Sequence, residues 1–142
     1  MFYHFKIKYT TTNEEGREVK KNEEFLVNNC ELHGEAEARG YQYAQEYGLQ
    51  DVDVVSVKRS NIREFINESK GETDDMIYDA VLCDVFIDEV TGKETECKYH
   101  VGVYARSVSD ATSKVHEYMK QGLNFMRYIA VKETKIVDIL EY

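Results

Sequence analysis

Apolar and polar residues alternate along residues 2–10, which predicts a β-strand that is buried on one face. A turn at residues 13–16 follows, because Gly16 suits the left-handed conformation that closes a short hairpin loop. The return strand is expected to bury Val19, Phe25 and Val27. On the first strand the inward residues are Tyr3, Phe5, Ile7 and Tyr9, and the outward residues are His4, Lys6 and Lys8.

Two later segments have helical periodicity, and both place apolar residues at positions i, i+4, i+7, i+8 and i+11. That spacing forms one stripe along an α-helix. The second segment begins with a Ser107–Asp110 capping-box pattern, whereas the first has Leu32-His33-Gly34 in the matching place. The small residues of the first stripe predict a close approach between helix and sheet. The stripes are Ala36, Gly40, Tyr43, Ala44 and Tyr47, and then Ala111, Val115, Tyr118, Met119 and Gly122.

These signals occur twice, in the order strand, glycine turn, strand, helix, strand. Residues 2–66 and 78–140 agree best at their ends, where 57–66 and 131–140 match in polarity at almost every position. Third strands are expected at 52–59 and 126–133. The continuations 60–66 and 134–140 fit either short fourth strands or irregular edges, and the polar residues 67–77 form the expected linker.

The repeat predicts an α+β fold. We expect residues 1–142 to form a single domain of two ββαβ repeats, related by pseudo-twofold symmetry. Each repeat would contribute an antiparallel sheet packed against one helix. Neither repeat alone is long enough to bury a large core, so the two are expected to pack together.

One face differs between the repeats. The first strand of the second repeat is expected to point Val81, Cys83 and Val85 inward. Its outward face is then largely apolar, where the first repeat is polar. The sequence therefore predicts a homo-oligomer, or packing between the repeats. The residues expected in this interface are Leu82, Phe86 and Tyr128.

The net charge of −9 restricts the class of partner. Phosphate backbones attract clustered lysine and arginine, and the absence of a basic block argues against bulk DNA or RNA binding. A small anionic ligand held by a few well-placed cations remains compatible with the charge. No apolar run has the length of about 20 residues that a membrane helix needs, and the first residues lack a signal-peptide pattern. We expect a cytoplasmic protein without a membrane partner.

The sequence offers no recognisable catalytic equipment. The four histidines share no metal-ligand spacing, and three cysteines without a CxxC pair argue against a disulfide framework or a zinc knuckle. The carboxylate pairs Asp74-Asp75 and Asp88-Glu89 fall in the expected linker and turn, where solvation explains them. No P-loop or nucleophile elbow is present. We expect no enzyme activity, no metal and no cofactor.

A candidate ligand site is expected near the strand ends. Arginine beside an exposed aromatic ring can bind a nucleotide phosphate and base. Arg106 also lies at the start of the second helix, where N-terminal amides favour anions. Scattered solvated charges are the alternative explanation. The residues expected to bind the ligand are Lys58, Arg59, Arg63, Tyr104 and Arg106.

Several strings resemble an uncharacterised family of unknown function found in Bacteroides-type gut bacteria and their phages. They are Phe25-Leu26-Val27, Glu35-Ala36-Glu37-Ala38-Arg39, Thr91-Gly92-Lys93-Glu94 and Glu133-Thr134-Lys135-Ile136-Val137-Asp138. The resemblance covers essentially the whole chain and supplies no catalytic residue. Family members start the first helix with a serine or threonine cap, from which Leu32-His33-Gly34 departs.

The resemblance implies a phage or mobile-element origin, and with it the host cytoplasm. The expected function is a non-enzymatic binding protein, in its sharpest form a counter-defence module that sequesters a host ligand such as a signalling nucleotide. The alternative is a structural or assembly protein that contacts phage or host protein. A hydrolase is a third, weaker hypothesis.

Overall fold

A computed structural model describes residues 2–67, 76–122 and 126–142 of the chain. They form two helices and eight strands. In chain order these are β1 Tyr3–Thr12, β2 Glu18–Asn28, α1 His33–Glu46, β3 Gln50–Arg59, β4 Ile62–Phe65, β5 Met76–Ile87, β6 Glu94–Ala105, α2 Val108–Gln121, β7 Met126–Glu133 and β8 Ile136–Glu141.

The α+β fold and its two similar ββαβ units are confirmed. One four-stranded sheet has the order β3-β1-β2-β8 and the other β4-β6-β5-β7, and each packs against one helix. The pairings β1–β2, β1–β3, β5–β6 and β5–β7 are antiparallel. The pseudo-twofold relation stays a prediction. Of the expected linker 67–77, residues 68–75 lie outside the described residues, and Met76 and Ile77 already belong to β5.

The two segments whose structure the sequence left open are both strands, and both are exchanged. β4 pairs in parallel with β6 of the second repeat, and β8 pairs in parallel with β2 of the first. The compact units therefore differ from the sequence repeats. Unit 1 comprises Met1–Ser60 and Lys135–Tyr142, and unit 2 comprises Asn61–Thr134.

In unit 1 the alternation of β1 is confirmed, since Tyr3, Phe5, Ile7 and Tyr9 are all buried. Helix α1 covers this face with small residues that are themselves buried, namely Ala36, Gly40 and Ala44. The expected close approach is also confirmed. A Cβ placed on Gly40 would lie 3.1 Å from Cγ2 of Val54 and 3.2 Å from Cε2 of Phe5.

In unit 2 the assignment of the β5 faces was wrong. Tyr78, Ala80 and Leu82 pack in the core with Ala111 and Val115 of α2, so the apolar face expected to point outward is the face beneath the helix. The other face is apolar too, and Cys83 on it is fully buried. With apolar residues on both faces, a period of two cannot tell which one the helix covers.

Both hairpins extend beyond the part of the sheet that packs on the helix. The first five residues of β2 and of β6 are all exposed. Val19, expected to be buried, is 38% exposed for this reason. Among the described residues, no helix is both long enough and apolar enough to cross a membrane.

The two helices begin differently, as the sequence predicted. At α2 the Ser107 hydroxyl accepts a hydrogen bond from the Asp110 N–H at 3.1 Å, and the Asp110 carboxylate accepts one from the Arg106 N–H at 3.2 Å. At α1 the N-cap residue is Leu32, which makes no side-chain cap hydrogen bond. Only the start of α2 is closed by the side chain of its own cap residue.

Candidate functional site

A cleft of about 510 Å³ lies in unit 1 and contains Arg59, one of the predicted ligand-binding residues. Its other lining residues are Asn29, Cys30 and Glu31, from the connection between β2 and α1. Arg59 reaches the cleft because it is the last residue of β3 and pairs with Tyr3 on β1. This volume falls within the range typical of small-molecule sites, about 300–1,000 Å³.

The buried Tyr3 side chain connects the two walls of this cleft. Its hydroxyl donates a hydrogen bond to the carbonyl oxygen of Glu31 at 2.9 Å and lies 3.4 Å from Nε of Arg59, which donates to it. The Tyr3 ring also packs edge-on against the ring of His33, with 5.1 Å between centroids. Tyr3 thereby holds the arginine next to the connection that leads into α1.

Arg59 supplies the positive charge of the cleft, and the first turn of α1 carries a carboxylate of its own, because Oε2 of Glu35 lies 3.5 Å from the Glu31 N–H that donates to it. The cleft residues Asn29 to Glu31 lead directly into α1, whose N-cap residue Leu32 provides no side-chain acceptor. The first amides of a helix carry partial positive charge and attract anions. Asn29 has a φ of 63° and donates from Nδ2 to the Glu141 carboxylate at 2.6 Å, so β8 fixes this bend.

Cys30 gives the cleft a neutral wall. Burial raises the pKa of its thiol, and the nearby Glu35 carboxylate raises it further. A thiol with a raised pKa is protonated at neutral pH and is a poor nucleophile. Cys30 therefore adds no negative charge to the cleft. The negative group in the lining is the Glu31 carboxylate.

Lys58 points away from Arg59. Successive residues of a strand point to opposite faces, and Lys58 pairs with His4 in the register of β1 and β3. His4 lies with Nε2 at 2.9 Å from Oε1 of Glu24. Burial lowers the pKa of His4, and the positive charge of Lys58 lowers it further against the opposing effect of Glu24. Lys58 and Arg59 thus do not converge on one ligand.

The other predicted cations lie in unit 2 and have partners there. The guanidinium carbon of Arg63 is 4.2 Å from the centroid of the Tyr99 ring, a cation–π contact. Arg106 is exposed, with Nε 3.9 Å from the Asp110 carboxylate that also accepts its backbone N–H. The anion-attracting start of α2 is thereby already supplied with a carboxylate.

The prediction that Tyr104 is exposed was wrong. Its side chain is 4% exposed, and its ring lies 5.5 Å from that of Phe65. Its backbone N–H donates to Oδ1 of Asn67, which returns a bond from Nδ2 to the Tyr104 carbonyl. The neighbouring strand β4 covers this tyrosine, and the sequence did not place β4 there. Tyr104 cannot stack on a ligand base in this arrangement.

A smaller cleft of about 240 Å³ lies in unit 2 between β4 and α2. It is smaller than the usual range of small-molecule sites, and three of its polar side chains, Asn67, Lys114 and Tyr118, are bonded within the protein. Lys114 contacts the Tyr104 carbonyl at 3.0 Å and the Asp110 carboxylate at 3.2 Å, and the Tyr118 hydroxyl donates to Glu64 at 2.8 Å. These contacts make the Arg59 cleft the better candidate for a ligand.

The three predicted interface residues have different environments. Leu82 is fully buried in the core of its own unit, and Tyr128 packs against that core and stacks on His116 with 5.1 Å between centroids. Phe86 is half exposed. It lies on the outer part of the β5–β6 hairpin with two further exposed apolar residues, Ile87 and Val90. We call Phe86, Ile87 and Val90 the hairpin patch.

The acidic pairs do not form a catalytic constellation in the part of the chain that is described. The Asp88 carboxylate accepts hydrogen bonds from the N–H groups of Val90 and Thr91, which lower its pKa and close the hairpin turn. Asp74 and Asp75 lie outside the described residues. Within 2–67, 76–122 and 126–142 there is no cluster of three or more His, Cys, Asp or Glu side chains able to hold a metal ion.

Comparison with known proteins identifies the family of the chain. The profile of a family described as Domain of unknown function (DUF4494) matches residues 1–142. The chain belongs to the DUF4494 family. No curated protein sequence matches it.

Sequence reasoning identified one wall of the cleft in this DUF4494 domain and missed the other. Arg59 was expected, whereas Asn29, Cys30 and Glu31 were not. The one sequence feature that pointed to the missed wall was the unusual N-cap of α1. Leu32 replaces a capping residue there, and the sequence showed this difference without indicating that Arg59 lies nearby.

Proposed function

We propose that this DUF4494 domain is a non-enzymatic binding protein that holds a small anionic ligand in the Arg59 cleft. The observation that carries the proposal is the position of Arg59. Its guanidinium lines a cleft beside the start of α1 and is oriented by the Tyr3 hydroxyl. Charge-assisted hydrogen bonds from arginine to phosphate or carboxylate are the strong contacts in such sites.

The negative charge of Glu31 in the cleft restricts which anionic ligands could bind there. Glu31 would repel a bare anion, but its carboxylate accepts hydrogen bonds from hydroxyl or amino groups. A ligand with an anionic group at one end and hydrogen-bond donors at the other satisfies both residues. A nucleotide meets this description, with its phosphate toward Arg59 and its ribose or exocyclic amine toward Glu31.

The proposed biological role is sequestration. The resemblance to proteins of gut bacteria and their phages supports a mobile-element setting, in which removal of a host signalling nucleotide would serve as counter-defence. A protein that only retains its ligand requires no catalytic group. The neutral, buried Cys30 is consistent with that role.

Calorimetric titration with cyclic and linear mono- and dinucleotides tests the proposal, with inorganic phosphate as a reference. Native mass spectrometry of the purified protein would reveal a retained nucleotide. Arg59→Ala should weaken binding about 10- to 150-fold, since a hydrogen bond to a charged group contributes about 1.5–3 kcal/mol. Arg106→Ala is the matched control and should leave binding unchanged.

Equal losses in the two arginine variants would contradict the assignment of the site to the Arg59 cleft. Full binding by Arg59→Ala would remove the cleft from consideration. Turnover of any nucleotide in the panel would contradict a purely binding role.

The hairpin patch favours a second candidate function, a structural or assembly protein that contacts protein, including another copy of itself. Phe86, Ile87 and Val90 are 50%, 64% and 93% exposed. Phe86 and Ile87 point to opposite faces of β5, so a protein partner would have to contact both sides of the hairpin end. Phe86→Lys should reduce the solution mass measured by light scattering if the patch joins copies. The fold should tolerate this change, whereas Leu82→Lys should unfold unit 2.

A further inference from the structure

Unit 2 contains an arginine that contacts a group of tyrosines and carboxylates. The guanidinium carbon of Arg63 lies 4.2 Å from the centroid of the Tyr99 ring. The Glu64 carboxylate accepts a hydrogen bond from the Tyr118 hydroxyl at 2.8 Å. Burial raises the pKa of Tyr99 to about 12, with a further contribution from the Asp84 carboxylate. Two tyrosines and two carboxylates are thus gathered about one guanidinium group.

The strand registers place the same kinds of residue at the equivalent positions of unit 1. Tyr3 faces Val27 in unit 1. Tyr78 faces Val103 in unit 2, and this pair relates the two hairpins position by position. The tyrosine and the carboxylate of each hairpin are exchanged between its strands. The equivalent residues are Tyr9 and Asp84, Glu23 and Tyr99, Tyr43 and Tyr118, and Asp138 and Glu64.

The unit 1 residues also contact one another. The Tyr9 hydroxyl donates a hydrogen bond to the Glu23 carboxylate. The Tyr43 ring lies 4.6 Å from the Tyr47 ring between centroids, and Tyr47 is 67% exposed. Burial raises the pKa of Tyr9 and of Tyr43, and the negative charge of Glu23 raises both further. We call Tyr9, Glu23, Tyr43 and Tyr47 the unit 1 acidic-aromatic group.

The two units differ at the residue that supplies the cation. Arg63 is the extra residue of a β-bulge in β4, because the register with β6 skips it, and a bulge re-aims a side chain. The register of β8 with β2 skips Val137 in the same way. Burial and carboxylates raise the pKa of Tyr99 and Tyr118, and the positive charge of Arg63 opposes this rise. The uncharged Val137 occupies the position of that cation in unit 1.

The described residues of unit 1 supply no other cation to Glu23. Lys21 pairs with Tyr9 across the hairpin, but its side chain is exposed. Neither Lys21 nor another lysine or arginine in the described ranges forms an ion pair with Glu23. A carboxylate has several acceptor positions, so Glu23 can accept further donors beside the Tyr9 hydroxyl.

We propose that the unit 1 acidic-aromatic group binds the guanidinium group of an arginine side chain from a protein partner. The template is the Arg63 contact of unit 2. A guanidinium stacks on aromatic rings and pairs with carboxylates, whereas a lysine ammonium is more strongly hydrated. The net charge of −9 attracts a basic partner. This site lies toward the other end of β1 from the Arg59 cleft and has the opposite charge preference.

Titration with N-acetyl-arginine amide tests the proposal, because the guanidinium is the only charge of this compound. The ring signals of Tyr43 and Tyr47 in the NMR spectrum should shift saturably, and N-acetyl-lysine amide should bind more weakly. Glu23→Gln keeps an acceptor for the Tyr9 hydroxyl and should weaken binding about 10- to 150-fold. Glu18→Gln, on the exposed part of the same strand, is the matched control and should leave binding unchanged.

Reciprocal substitutions at the two bulges test the template. Val137→Arg places the cation of unit 2 in unit 1 and should both block the compound and raise the Tm. Val137→Gln, a long neutral side chain at the same position, should do neither. Arg63→Val should open the group of unit 2, so that the number of bound compounds rises from one to two. Equal blocking by Val137→Arg and Val137→Gln would overturn the proposal, since bulk alone would explain it.

Free L-arginine distinguishes a protein side chain from a free amino acid as the source of the guanidinium. Its carboxylate would be repelled by Glu23, so it should bind more weakly than the amide. Tighter binding of free L-arginine would overturn the assignment to a protein partner. The absence of a saturable shift with the amide would overturn the site itself. Neither result depends on whether the Arg59 cleft binds an anion.

Discussion

Two glycines in helix α1 should respond in opposite directions to the same substitution. Gly34 lies in the first turn, and a Cβ built there meets no atom within 4 Å. Gly40 lies over the sheet, with Val54 at 3.1 Å and Phe5 at 3.2 Å from the same added atom. Alanine gains helix propensity at either position, and the gain is larger at Gly40 inside the helix than at Gly34 near its end. A lower stability of Gly40→Ala than of Gly34→Ala therefore reports the cost of packing.

The magnitudes decide the sign at each position. Replacing glycine by alanine inside a helix stabilises it by about 0.8–1 kcal/mol, and by less near the end. Overpacking a filled core costs about 1–3 kcal/mol. The Phe5 ring is fully buried and cannot swing into solvent. We expect Gly34→Ala to raise the free energy of unfolding by about 0.5 kcal/mol and Gly40→Ala to lower it by about 1 kcal/mol.

Urea unfolding followed by far-ultraviolet circular dichroism and tyrosine fluorescence measures both variants against the parent chain. Unchanged m-values would show that the unfolded reference is the same, so that the midpoints compare directly. If Gly40→Ala stabilised the protein as much as Gly34→Ala, the side chains of Phe5 and Val54 would have to move away from the new methyl group without loss of stability. The close helix–sheet contact in unit 1 would then not limit the choice of residue.

Three further predictions concern single groups. Iodoacetamide at neutral pH should alkylate Cys97 and spare the buried Cys30 and Cys83, as counted by intact mass. Ser107→Ala should cost about 1 kcal/mol of unfolding free energy by losing the cap of α2. The pKa of His4 is lowered from 6.5, so its neutral form is the stabilising one. That contribution is complete above pH 6.5 and is lost as the pH falls through the folded-state pKa; His4→Gln should flatten this slope in urea titrations at successive pH values.

The sequence was most informative where one face of an element is apolar and the other is polar. β1 shows strict alternation, and its four inward residues are buried as expected. Three positions of the α1 stripe (Ala36, Gly40 and Ala44) and the cap of α2 were equally readable, because each depends on residues close in sequence. The prediction was wrong for Tyr47, which follows the last residue of α1 and is 67% exposed. The β5 faces were misassigned because both are apolar. Matching Tyr78 to Tyr3 and Leu82 to Ile7 would have identified the face beneath the helix.

The pairing of the closing strands could not be read locally. The sequences 57–66 and 131–140 look alike, and nothing within either indicates that it joins the sheet of the other repeat. The error at Tyr104 follows from this, because Phe65 of the exchanged β4 is what covers it. Only Arg59 of the cleft residues was predicted, because the cleft also depends on contacts between segments distant in sequence. One wall is a strand end and the other a connection separated from it by a whole helix.

Both units contain a contact between a histidine and a carboxylate on neighbouring strands, although the two residues occupy opposite strands in the two units. His4 and Glu24 of unit 1 correspond to Asp79 and His100 of unit 2, with the histidine and the carboxylate exchanged between strands. Their closest atoms are 2.9 Å and 2.8 Å apart in the two units. Either arrangement of the two residues provides the same polar contact between strands. The contact is therefore common to both units, whereas the residue type at each position differs.

Side-chain volume is exchanged in the same way. Phe5 lies against Gly40 in unit 1, whereas the corresponding residues of unit 2, Ala80 and Val115, place the bulk on the helix instead of the sheet. The strand pairs Leu26–Ile139 and Gly102–Phe65 repeat this pattern between neighbouring strands. The summed volumes of these pairs differ between the units, so each close-packed pair is adjusted to its own surroundings. A substitution in either unit should therefore be judged against its contact partner rather than against the matching residue of the other repeat.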